Sequence, residues 1–161
     1  MDLQQRIGGK LPEIDIAGTM FFVDIRLHEL RSDYQLMSRI NLDNLESGAN
    51  GDTYLFAFNT ESKQLVNIDP KLTAWPDNVI IVEIPDEVKL DPYSFAREAG
   101  LDPLEFVKEH PIEKELKAKV IPLSETGFLE MMEKNKKAKQ EKLIQQRNEG
   151  PGKRNKGNRI K

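Results

Sequence analysis

Glu13, Asp15 and Asp24 are the first residues of this chain whose types and spacing could do chemistry. Positions 13 and 15 share one face of an alternating strand, and Asp24 falls on the neighbouring one. Carboxylates so placed can hold a divalent cation or divide acid and base work in glycoside hydrolysis. The intervening Ile14 and Ile16 favour a plainer reading, the wet face of a half-buried sheet. His28 and His110 are the only imidazoles. His28-Glu29 lacks a second histidine four residues on, as a zinc-protease helix requires, and His110 precedes Pro111 at an expected helix end, where it can meet the last carbonyls. With no cysteine there is neither a disulfide framework nor a thiolate metal site. An enzyme is the less expected class, and no catalytic residue, cofactor or metal ligand is assigned.

Three further patterns carry the letters of known chemistry. Pro85-Asp86-Glu87-Val88-Lys89 contains those of a PD-(D/E)-x-K nuclease signature, but the first acid is too close to the acid-x-lysine pair. The segment is expected to be a solvated turn. Tyr54, Phe56 and Phe58 share a strand face, the spacing of a base-stacking platform. Their neighbours Asp52 and Glu61 outnumber Lys63, so the stripe is assigned to the core. Pro92 to Phe106 resembles a helix-turn-helix unit in its apolar and small residues Phe95, Ala96, Ala99, Gly100, Leu101 and Phe106. Its second helix presents Asp102, Leu104, Glu105, Lys108 and Glu109, which would repel a DNA duplex, so the segment is read as an αα-hairpin packed on a sheet.

The strongest signal is the distribution of charge. Residues 134–161 carry 11 basic residues (Lys134, Lys136, Lys137, Lys139, Lys142, Arg147, Lys153, Arg154, Lys156, Arg159 and Lys161) against Glu141 and Glu149, an excess of +9. Residues 1–133 hold 13 basic and 25 acidic residues, an excess of −12. A basic arm on an acidic body is an electrostatic handle, and the expected partner is a polyanion, RNA before DNA, bound with little sequence preference. No aromatic follows Met132, so contact would be to phosphates rather than bases. The rival expectation is an acidic protein surface engaged by the arm, with Leu143 and Ile144 as apolar anchor.

The elements that would position these groups give an α+β fold. A mostly antiparallel sheet of about five or six strands is expected, with the helical hairpin on one face and a long C-terminal helix. Strands are expected near 13–17, 20–26, 53–58, 64–68, 79–84 and 116–120, with Val79 to Ile84 central and the last strand an edge guarded by Lys117 and Lys119. Asp91-Pro92 and Asp102-Pro103 mark helix starts by a capping acid before proline, and Ser124 is the expected cap of the long helix. The chain divides on this reading into a flexible N-terminus (1–12), an acidic globular domain (13–133), a projecting basic helix (134–149) and a disordered basic tail (150–161). No apolar run suits a signal peptide or a spanning helix, so a soluble cytoplasmic protein is expected. Oligomeric state stays open.

Overall fold

The computed structural model describes residues 1–33 and 37–160, with side chains as far as Asn148. Over the described residues it is α+β, with ten strands in two mostly antiparallel sheets rather than one sheet of five or six. The chain forms two compact units, Met1–Asn67 with Asp77–Pro122, and Ile68–Pro76 with Leu123–Lys161. That division precedes the change of charge at residue 134.

Helix α1 (Leu3–Ile7) opens the first unit, where the sequence suggested a flexible lead-in. Asp2 and Gln5 cap it reciprocally, Asp2 accepting from the Gln5 amide at 2.8 Å. Strands β1 (Glu13–Ile16) and β2 (Thr19–Asp24) form the expected hairpin, with Glu13 opposite Phe22 and Ile16 opposite Thr19. The two turn residues are Ala17 and Gly18, both at positive φ (51° and 87°), the geometry of a twist-matched two-residue turn. β3 (Glu29–Arg31) and β4 (Arg39–Asn41) continue the meander.

The second sheet is built on β6 (Thr53–Asn59) and β8 (Val79–Pro85), paired over seven positions from Thr53↔Pro85 to Asn59↔Val79. Short β5 (Glu46–Ser47) and β7 (Leu65–Val66) both pair with β6. Val79 to Ile84 is central, as its β-branched run implies, since β8 lies between β6 and the last strand. That last strand is where one sheet becomes two. β9 (Leu116–Lys117) joins β1 in parallel, Ala118 donates its amide to Asp15 O at 2.8 Å, and β10 (Lys119–Ile121) pairs with β8. Alternation breaks at this crossing, so Val120 is exposed although Leu116 and Ala118 are buried.

One apolar cluster draws on both sheets, with Ile14, Ile16, Phe21, Val23, Leu30 and Ile40 from the first and Phe56, Phe58, Val82 and Ile84 from the second. The Phe21 and Phe58 rings meet edge-on, centroids 6.0 Å apart. After β8 come α2 (Glu87–Leu90), α3 (Pro92–Glu98) and α4 (Pro103–Glu109). Asp91 and Asp102 cap α3 and α4 as their Asp-Pro steps predict.

Asp91 has a second duty that its sequence does not disclose. Its carboxylate accepts from Arg6 Nε at 3.1 Å and Nη2 at 2.8 Å, and Arg6 also donates to the Ser94 hydroxyl. Asp91 is 1% exposed and Arg6 6%. Removing one member of a buried pair strands the other charge, at a cost of about 3–5 kcal/mol. Arg6→Met is therefore expected to lower the thermal midpoint sharply. Arg6→Met/Asp91→Asn, which removes both charges and keeps a side chain able to cap α3, is expected to recover part of the loss, and equal midpoints for the two variants would refute the stranded-charge account.

Candidate functional site

The basic arm begins in the second unit. A 3-10 turn (Leu123–Glu125) leads to helix α5 (Phe128–Ile160). Ser124 lies in the turn and is not the cap. The Thr126 hydroxyl instead links turn and helix, donating to Leu123 O at 2.7 Å and accepting from the Phe128 amide at 3.3 Å. Gly127 at φ 81° makes the bend between turn and helix.

The first turns of α5 are packed within their own unit. Trp75 lies against Phe128 with ring centroids 5.1 Å apart, Met132 is buried, and Asn135 Nδ2 donates to the carbonyls of Pro70 and Leu72, 2.8 Å each. Phe128, Met131, Met132 and Asn135 follow the three- and four-residue steps of one helix face. Continued along the helix, that row becomes Lys139, Lys142 and Gln146. The face that buries apolar groups thus turns polar at Asn135, and every side chain from Lys136 to Asn148 is exposed.

Lys134, Lys136, Lys137, Lys139, Lys142 and Arg147 are exposed on this helix. Glu133 pairs with Lys136 at 3.6 Å, three residues apart. Lys136, Lys139, Leu143 and Arg147 share one face, and Lys134 and Lys142 lie elsewhere, so charge surrounds the helix. Lys153, Arg154, Lys156, Arg159 and Lys161, with the expected tail over 150–161, fall outside the residues whose side chains are described. Chemically, such an arm is a row of point charges on flexible stems, suited to phosphate or carboxylate oxygens but not to positioning a reacting bond.

Several of the other groups with possible chemistry have structural partners. Asp15 accepts the Gly18 amide at 2.8 Å and so closes the β1–β2 turn. Asp24 is buried and receives Arg31 Nη1 at 2.6 Å. Burial alone would raise its carboxyl, but Arg31 and the Leu27 amide outweigh that and hold it below the ordinary range. Among the described residues no three His, Asp or Glu side chains gather to hold a metal. His28 stands at φ 54° with Nδ1 3.7 Å from Asp43 Oδ1, both side chains more than half exposed. His110 ends α4 and stacks on Phe106, centroids 4.2 Å apart.

Phe56 and Phe58 are buried in the core, and Tyr54 packs against it part-buried. The Tyr54 hydroxyl donates to Glu87, and burial first, then Glu87, pushes its ionisation well above the usual tyrosine range. The Pro85 to Lys89 segment is not a simple solvated turn, since Asp86 precedes helix α2, whose Leu90 enters the core. In the helical hairpin Phe95 packs on Phe106, centroids 5.5 Å apart, while Asp102, Leu104, Glu105, Lys108 and Glu109 are exposed. The acidic surface read from sequence is thus on the outside. No protein-family model matches the chain, and no curated protein or solved structure matches it significantly.

Asp86 is the acid whose environment opposes its charge. Burial raises its carboxyl, Glu87 and Asp52 add to that, and the Lys89 and Val88 amides oppose it. A carboxyl raised on folding favours the folded state below its unfolded value and loses that contribution as pH rises through its folded value. Asp86→Asn, which keeps capping ability, is expected to stabilise the protein at neutral pH by less than about 1 kcal/mol. Denaturant titrations should show the gain vanishing below the ordinary aspartate range, and a gain independent of pH would contradict this.

Proposed function

We propose that the chain is a small binding or accessory protein whose basic arm engages a polyanion, RNA before DNA, through phosphate contacts. One observation carries the reading: cationic side chains continue along α5 after its packing face has ended, and Lys136 to Asn148 are all exposed. Surface lysines on an unpacked helix contribute little to stability, so folding supplies little reason for them. Neutralising phosphates does, because each contact releases condensed counterions. No aromatic lies between Met132 and Lys161, which suits a contact that positions a backbone without reading bases.

A second reading is supported by Leu143 and Ile144, each more than half exposed amid Lys139, Lys142 and Arg147. These make an apolar anchor with a basic rim for an acidic protein surface. No described helix is long and apolar enough to cross a membrane. Absence of cysteine suits a reducing cytoplasm, the proposed compartment.

Binding of mixed-sequence single-stranded RNA, measured by fluorescence anisotropy across a salt series, tests the proposal. Roughly 4 to 6 phosphate contacts correspond to a log-log slope of about −3 to −4. Changing Lys136, Lys139, Lys142 and Arg147 together to Gln should flatten the slope by about 2 to 3 units, equally for different base compositions. No binding at low salt would overturn the polyanion reading in favour of the protein-surface one.

A further inference from the structure

The turn that joins β5 to β6 holds the chain's one Asn-Gly step, Asn50-Gly51. Ala49, Asn50, Gly51 and Asp52 are all exposed, at the tip of a hairpin closed by the Gly48 amide on Thr53 O at 2.8 Å. Other asparagine side chains have partners: those of Asn41 and Asn59 accept from the Asp43 and Glu61 main-chain amides, and that of Asn135 donates to Pro70 and Leu72. Among the described residues none is hydrogen-bonded to the Asn50 side chain. Gly51 stands at φ 76°, and no atom beyond its chain neighbours lies within 4 Å of where a side chain would begin. One exposed turn bond, to Gly48 O at 3.0 Å, engages its main-chain N–H.

We infer that Asn50 is a site of spontaneous covalent modification, converted through a cyclic imide to isoaspartate and aspartate with water as the only co-reactant. The Gly51 main-chain nitrogen gives up its proton and bonds to Asn50 Cγ; the Cγ–Nδ2 bond breaks, and that nitrogen leaves with a proton as ammonia. Water then opens the ring. Adding at Cγ, it breaks the new bond and leaves ordinary aspartate; adding at the main-chain carbonyl carbon of Asn50, it breaks the original peptide bond, so that the chain runs on through Cγ. Glycine keeps the approach open, since a side chain at position 51 would crowd the attacking nitrogen. The hairpin tip supplies the motion, because an exposed turn bond opens locally without unfolding the strands behind it. Either product places a new carboxylate beside Asp52, and isoaspartate also lengthens the loop between Gly48 and Thr53 by one main-chain atom. The strand this loosens is β5, which pairs with β6 only at Glu46↔Leu55 and Ser47↔Tyr54, while the longer β6–β8 pairing stays.

Incubating the folded full chain at mildly alkaline pH in water enriched in heavy oxygen, followed by peptide mass mapping, tests the inference. The peptide containing Asn50 should gain the mass of acid over amide with one heavy oxygen, ahead of every other asparagine, at a rate that rises with pH as Gly51 loses its proton more often. Fragmentation through residue 50 should show isoaspartate beside aspartate. Asn50→Gln, whose longer side chain misplaces the carbon under attack, should slow the conversion about a hundredfold or more. The same chain in urea gives the rate without the fold, and the folded rate should lie within about tenfold of it. A slower folded rate would show that the bond to Gly48 locks the turn, and aspartate without isoaspartate would show direct hydrolysis of the side chain; either overturns the inference. The polyanion reading stands or falls separately, since its residues begin at Lys134.

Discussion

The first unit depends on burying the inner faces of two sheets in one cluster, with the edge-on contact of Phe21 and Phe58 near its middle. Truncating a core phenylalanine costs about 3–5 kcal/mol, whereas an exposed ion pair contributes about 0–1 kcal/mol. The apolar cluster, not the abundant charge, therefore holds this fold. Strand alternation then dictates where charge can go. With Ile14 and Ile16 inward, Glu13 and Asp15 must face outward, and the excess acid of the body becomes its surface.

The same rule, applied to a helix, explains the arm. An α-helix gains most of its stability in a protein from an apolar face laid against something, and α5 has such a face only as far as Asn135. Beyond it, side-chain pairs such as Glu133 with Lys136 contribute about 0.2–0.5 kcal/mol each. That support is marginal, so a ligand supplying opposite charge along the helix would stabilise the segment as it bound. Structural weakness and proposed function have a common cause: the apolar row gives way to lysine.

Much of this was legible in the residues. Alternation at 13–16, the β-branched run at 79–84 and the two Asp-Pro steps each specify one local structure, and each is found. What escaped reading is non-local. Nothing near Arg6 indicates that it crosses 85 positions to Asp91, because a buried ion pair leaves no periodicity. The passage of one strand from the first sheet to the second at Ala118 was hidden too, since Leu116 to Val120 alternates as an uninterrupted strand would. Ser124 falls instead in the 3-10 turn, and the Thr126 hydroxyl makes the bond to the Phe128 amide. For the candidate site, charge segregation was readable at once, while the extent of helix left without a packing face required the positions of Phe128, Met132 and Asn135.

The central claim, that binding resides in the arm and not on the folded body, is tested most directly by amide chemical shifts of the full chain titrated with single-stranded RNA at low salt. The account predicts perturbations concentrated from Lys134 to Asn148 and beyond, with the strands of both sheets unmoved. Perturbations centred on the outward face around Glu13, Asp15 and Phe22, or on the helical hairpin alone, would contradict it.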